Sequence, residues 1–126
     1  FNQKIKVMKK IKLTLMKSKL RNIKSAFEAE GEFCDKVWYN RCHQRTKEEL
    51  KNGEVNLVKK WKPEYSTQKF ISKDIWESAK KAAKKVEKKY GKKNLGPYDD
   101  FDWGMINGKL SAIRWMLGDD WDQLDT

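Results

Sequence analysis

One histidine, two cysteines and two prolines leave this chain short of the residues that build metal sites, disulfide frameworks and forced turns. Cys34 and Cys42 do not have the C-x-x-C spacing of a zinc site, and His43 cannot complete one with them. On a helix the two thiols would stand about 12 Å apart along the axis, beyond the reach of a disulfide. Both are expected to be reduced, in a cytoplasmic protein. No run approaches the ~20 apolar residues that a membrane span needs, and the first residues lack the continuous apolar stretch of a secretory leader. The chain opens on Phe1, not Met, as expected of a processed or truncated chain or of one extended upstream of a start at Met8 or Met16. No glycine-rich phosphate loop, nucleophile elbow or histidine-based acid–base pair is present. The expectation is a protein without catalysis, cofactor or bound metal.

Arginine is scarce as well. Only Arg21, Arg41, Arg45 and Arg114 stand among the 29 basic residues. Lysine supplies the rest, and a hydrated ammonium suits phosphate backbone more than base edges.

Bulky apolar material is present in quantity. Six Trp, five Phe and four Tyr in 126 residues can fill the core of one domain. They argue against global disorder even though 37% of the residues are charged. The predicted fold is mostly α, a single helical domain over 1–126. It has about four helices, near 16–30, 32–51, 73–90 and 100–117, the last of them central.

The last helix has Asp99 or Asp100 as N-cap, Pro97 as an upstream stop and Gly118 as its C-terminal glycine. Stepping 100° per residue puts Phe101, Met105, Gly108, Ala112, Trp115 and Met116 on one apolar stripe. Ile106, Leu110, Ile113 and Leu117 form a second. Two stripes predict burial on more than one side. Gly104 and Gly108 each cost ~1 kcal/mol inside a helix, which predicts a close helix crossing at those positions. Asn107, Ser111 and Arg114 remain as a narrow polar strip. It is read first as a solvated edge, and second as a recognition strip in which Arg114 contacts phosphate or carboxylate.

Helix 73–90 opens on Ser72, with Asp74 in its first turn, and ends at Gly91. Ile75, Trp76, Ala79, Ala82, Ala83, Val86 and Tyr90 make its predicted inner stripe. Its outer face carries Lys80, Lys81, Lys84, Lys85, Lys88 and Lys89, and Lys92 and Lys93 follow the glycine. Only Glu77 and Glu87 interrupt the run. An unpaired cationic face of this kind predicts a nucleic acid, DNA or RNA, held by its phosphates with a steep salt dependence. An anionic membrane surface suits it less, because the inner stripe holds small alanines fitted to a protein neighbour.

Upstream, residues 1–24 hold nine basic side chains and no acidic one. Residues 4–15 alternate between apolar and polar, which predicts a basic arm or a short strand over 1–15, with one long helix as the competing reading. Met16, Leu20, Ile23 and Phe27 then give a helical stripe ending near Gly31. The string from Trp38 to Arg45 mixes aromatics with Arg41 and Arg45, residues that can stack on bases and hold phosphates. It also fits a half-buried helix with snorkelling arginines.

Charge is divided along the chain. Residues 1–98 carry a net +16, and residues 99–126 a net −5. The acidic tail 119–126 is expected to screen basic surface. The aspartates fall in two groups, Asp99, Asp100 and Asp102 at one end of the last helix, and Asp119, Asp120, Asp122 and Asp125 beyond the other. About 25 Å of helix separates them, so they cannot share a metal within one chain. Three functions are therefore in view. A small nucleic-acid-binding protein without catalysis comes first. An inhibitor or accessory module docking on an acidic protein, through Trp38, Trp61 or Trp121, comes second. A metal-dependent nuclease using one aspartate group comes third.

Overall fold

The computed structural model describes residues 2–121, with side chains throughout except those of residues 14–19. The fold is mostly α, as the periodicities predict. Its elements in chain order are α1 (Asn2–Lys19), α2 (Ile23–Trp38), a π-helical turn (Tyr39–Gln44), α3 (Arg45–Lys51), β1 (Asn56–Val58), β2 (Phe70–Ser72), α4 (Lys73–Tyr90), a 3-10 turn (Lys92–Asn94) and α5 (Asp100–Met116).

The alternating N-terminal segment is helical, not a strand. Residues 2–13 are all exposed, and among the described residues no strand lies beside them. An unpaired strand would leave its backbone groups without protein partners, whereas a helix bonds its own. The break expected at Gly31 falls instead at 20–22. There Asn22 caps α2, its side-chain oxygen accepting from the Ser25 amide at 2.9 Å. The stripe predicted from Met16, Leu20, Ile23 and Phe27 does not form a buried seam. Leu20, Ile23 and Phe27 are exposed, and Met16 lies outside the described side chains.

From Ile23 to Lys51 the chain is one continuous helical rod, because the residues at each junction all keep right-handed helical angles. The rod organises the molecule. Its first half, α2, packs against α5, and its π turn packs against α4. The buried cluster at the π turn is Tyr39, Ala83, Val86 and Leu95, with Trp38 and Tyr90 laid against it. Gly53, at φ 75°, reverses the chain into β1. This strand pairs in parallel with β2, Asn56 opposite Phe70 and Val58 opposite Ser72. Between them Tyr65 stacks on Phe70 at 4.6 Å and meets Trp61 edge-on at 5.7 Å.

The segment between α4 and α5 is pinned to the rod by Asn40. Its side-chain amide donates to the carbonyls of Lys36 and Leu95, at 2.9 and 2.8 Å. Leu95 is only 1% exposed, and a cis peptide joins Gly96 to Pro97.

Helix α5 is not the central element that its two apolar stripes predict. Leu110 is fully buried, and Trp103, Ile106, Ile113 and Leu117 are partly covered on the same side. The opposite stripe is open, with Phe101, Met105, Trp115 and Met116 all exposed. Among the described residues, nothing lies within 4 Å of where a Cβ would stand on Gly104 or Gly108, so no described helix crosses there. The rod covers one side of α5; on the other, Trp121 meets Trp115 edge-on at 4.9 Å, while Phe101, Met105 and Met116 stay exposed.

Candidate nucleic-acid interface

Helix α4 begins where Ser72 accepts from the Ile75 amide at 3.3 Å, with Asp74 in the first turn. It ends at Gly91, whose φ of 84° a side chain would resist. Trp76, Ala83 and Val86 are buried, and Ala79 and Tyr90 are partly so. Ile75 and Ala82, expected on the inner stripe, are exposed. The burial seam is therefore the predicted stripe without its Ile75–Ala82 edge.

Two hydroxyl–carboxylate bonds of opposite sense lock α4 against the rod. Tyr39 of the rod donates to Glu87 of α4 at 2.6 Å, and Tyr90 of α4 donates to Asp35 of the rod at 2.9 Å. Burial first, and then the carboxylate partner, pushes each phenol up to about 12. These bonds set the rotation of α4 and so decide where its lysines point. They also occupy Glu87, one of the two carboxylates in the lysine run. The other, Glu77, pairs with Lys80 at 2.9 Å. The hydrogen bond from Lys80, helped by the charges of Lys80, Lys73 and Lys81, holds the Glu77 carboxyl below its ordinary value against the opposing cost of desolvation.

Lys81, Lys84, Lys85 and Lys88 are left exposed, and among the described residues none of the four meets a carboxylate within salt-bridge distance. Lys89 lies over its neighbour Tyr90, 5.3 Å from the ring centre. Lys92 and Lys93 are exposed on the 3-10 turn that continues the same edge.

The arginine candidates are placed differently. Arg41 donates to Asn107 at 3.2 Å, and its guanidinium lies 5.8 Å from the centre of the Trp103 ring. Arg114 pairs with Glu30 at 3.1 Å and also approaches the sulfur of Cys34 at 3.5 Å. The polar strip is therefore not a solvated edge. Asn107 and Arg114 belong to the seam between α2 and α5, with Ser111 half-buried at its margin. Arg45 is mostly exposed and reaches Glu49 at 3.4 Å.

Asp99 caps α5 by accepting from the Asp102 amide at 2.8 Å. Asp100, Asp102, Asp119 and Asp120 are exposed at the two ends of that helix. Asp122 and Asp125 of the acidic tail lie outside the described residues. Among the described residues, no three histidine, cysteine or acidic side chains come together where they could hold a metal ion. Cys34 and Cys42 are free thiols. No helix among them is long and apolar enough to cross a membrane.

One residue that the sequence does not single out for a role occupies a conspicuous place. His43 is 7% exposed, and its ring is stacked between Trp76 at 5.2 Å and Trp38 at 5.9 Å, with Tyr39 tilted against it at 5.5 Å. Its Nδ1 is buried without a hydrogen-bond partner. Burial, and then the charge of Lys47, holds the imidazole below its ordinary pKa, so the ring is neutral at pH 7. Its position between Trp38 and Lys47 in sequence gives no hint of this, because Trp76 arrives from a different helix.

The chain matches no protein-family model, no curated protein and no solved structure.

Proposed function

We propose that this is a small nucleic-acid-binding protein that holds the phosphate backbone without catalysing a reaction. The observation that carries this reading is the outer face of α4, where Lys81, Lys84, Lys85 and Lys88 stand exposed while the helix's own glutamates are engaged by Lys80 and Tyr39. Their charge is available to a polyanion, and each ammonium that meets a phosphate releases condensed counterions. The exposed lysines of α1 add to the same field. Binding is largely independent of sequence, since lysine on a helix face reads little of the base code. DNA and RNA are equivalent in this reading, and two free thiols suit a reducing, cytoplasmic setting.

A gel-shift titration at low and raised salt tests it. The wild-type chain shifts both nucleic acids at low salt and releases them steeply as salt rises. Replacing Lys81, Lys84, Lys85 and Lys88 together by Gln flattens the log–log salt slope, by up to ~0.9 for each phosphate that is no longer neutralised on duplex DNA. No shift at low salt rejects the reading.

The second reading, a protein-interaction module, draws support from a separate observation. Phe101, Trp115 and Met116 are 74%, 51% and 69% exposed along one side of α5. Large apolar side chains in a contiguous open stripe mark protein contact surfaces. A complex that survives nuclease treatment and dissociates on Phe101→Ser favours that reading.

A further inference from the structure

Beside the lysine face lies a depression of about 240 Å³ that the sequence does not announce. Trp76, His43 and Ala83 line its apolar part, and charged groups from three elements converge on it. Lys47 comes from α3, Lys84 from α4 and Lys92 from the 3-10 turn. The carboxylate among them, Glu87, is already bonded by the Tyr39 hydroxyl at 2.6 Å. Lys80 is also at the site but is paired with Glu77. Three ammonium groups against one carboxylate leave two positive charges unmatched.

Like charges brought together by three separate elements repel one another, and an anion seated among them removes that cost. The buried imidazole lines the same depression and reports on what enters it. Its ring is stacked on two indoles, and its Nδ1 is buried without a partner.

We infer that this depression seats a phosphate dianion, and that its source is the terminal phosphomonoester of a nucleic-acid strand. The charge selects the ligand class. A dianion balances the two unmatched charges, whereas a backbone diester or a carboxylate carries only one. A terminal phosphate also protrudes from its strand and can enter a concavity that a continuous backbone cannot. The inference rests on the lysine-face reading for the identity of the source. Lys84 belongs to both surfaces, so a strand lying along Lys81, Lys85 and Lys88 brings its end to the seat.

The single histidine makes the test direct. The imidazole resonances of the full-length chain are followed by NMR at fixed ionic strength. Short single strands of one sequence are added with a 5′-phosphate, with a 3′-phosphate or with neither, and inorganic phosphate is added in a separate arm. A phosphorylated end moves the His43 signals saturably and raises the pKa of the ring, because a negative charge then offsets that of Lys47. The phosphorylated strand also binds roughly tenfold more tightly than the bare one, as one additional charge-assisted contact of ~1.4 kcal/mol provides. Lys47→Gln removes that advantage and leaves the bare strand bound as before, whereas Lys88→Gln weakens all strands alike.

If all strands bind and the His43 signals stay still, or move equally with the bare strand, the seat is refuted and the lysine face stands. If no strand binds while inorganic phosphate still moves the signals and Lys47→Gln abolishes the effect, the dianion seat stands and the nucleic-acid source is overturned.

Discussion

At the scale of single residues, Gly96 and His43 show how much of this molecule depends on contacts between segments far apart in sequence. Gly96 has a φ of 99°, and a Cβ there would stand 2.7 Å from the side-chain oxygen of Asn40, the residue that pins the α4–α5 connection. Gly96→Ala is expected to cost roughly 1–3 kcal/mol, from the strained backbone and the displaced Asn40. Urea unfolding measures it, and a wild-type midpoint would show that the connection can shift freely. His43 makes a prediction in pH. Its folded pKa lies below the unfolded one, so its neutral form stabilises the fold above the unfolded value near 6.5. That contribution disappears as pH falls through the folded pKa. Unfolding free energy should therefore decline as pH drops below about 6.5, and His43→Phe should flatten the decline. Tyr39 and Tyr90 behave in the opposite sense, since both are raised to about 12. Their contribution is complete below pH ~10 and fades as pH rises towards the folded value.

At the scale of elements, the parts legible in the sequence are those with local chemical causes. The starts of α4 and α5 follow from the Ser72 and Asp99 caps, and Gly91 and Gly118 both take the positive φ their positions call for. What was not legible depends on neighbours. Alternation in residues 4–15 is compatible with a strand only when another strand accepts it. An apolar stripe such as Phe101–Met105–Trp115 is buried only when something covers it. The π turn has no distinctive composition of its own, and the cage around His43 exists only once α4 is in place. The lysine face could be read because it depends on spacing within one helix, while the depression beside it could not, because Lys47 and Lys92 come from elsewhere. The open side of α5 leads to a simple expectation. Gly104→Ala and Gly108→Ala meet no neighbouring atom, so each should stabilise the helix by ~1 kcal/mol and raise the melting temperature by several degrees. A drop in stability would mean that this side is covered in solution.

At the scale of the whole molecule, charge is arranged against the stability of the isolated chain. A net +11 over 126 residues, with lysines at neighbouring positions along α4, builds repulsion into the folded state. Each like-charge pair three or four residues apart costs ~0.2–0.5 kcal/mol. Replacing Lys81, Lys84, Lys85 and Lys88 by Gln should then stabilise the free protein by roughly 1–2 kcal/mol at low salt, a gain that disappears at high salt. Thermal denaturation at two ionic strengths checks it. Under the nucleic-acid proposal, the same variant should also gain less thermal protection from added nucleic acid than the wild type. Lysines present only for solubility would give the first effect without the second.

The six residues from Tyr39 to Gln44 have one more consequence. A widened turn accommodates a residue more than an ordinary helix would over the same length, and each residue turns a helix by about 100°. Tightening the turn into an ordinary helix with all its residues kept would swing everything beyond it by about that angle. The α5 side would keep its address while Lys47 turned away from Lys84 and Lys92. The wide turn thus sets the phase between the half of the rod that packs on α5 and the half that carries Lys47.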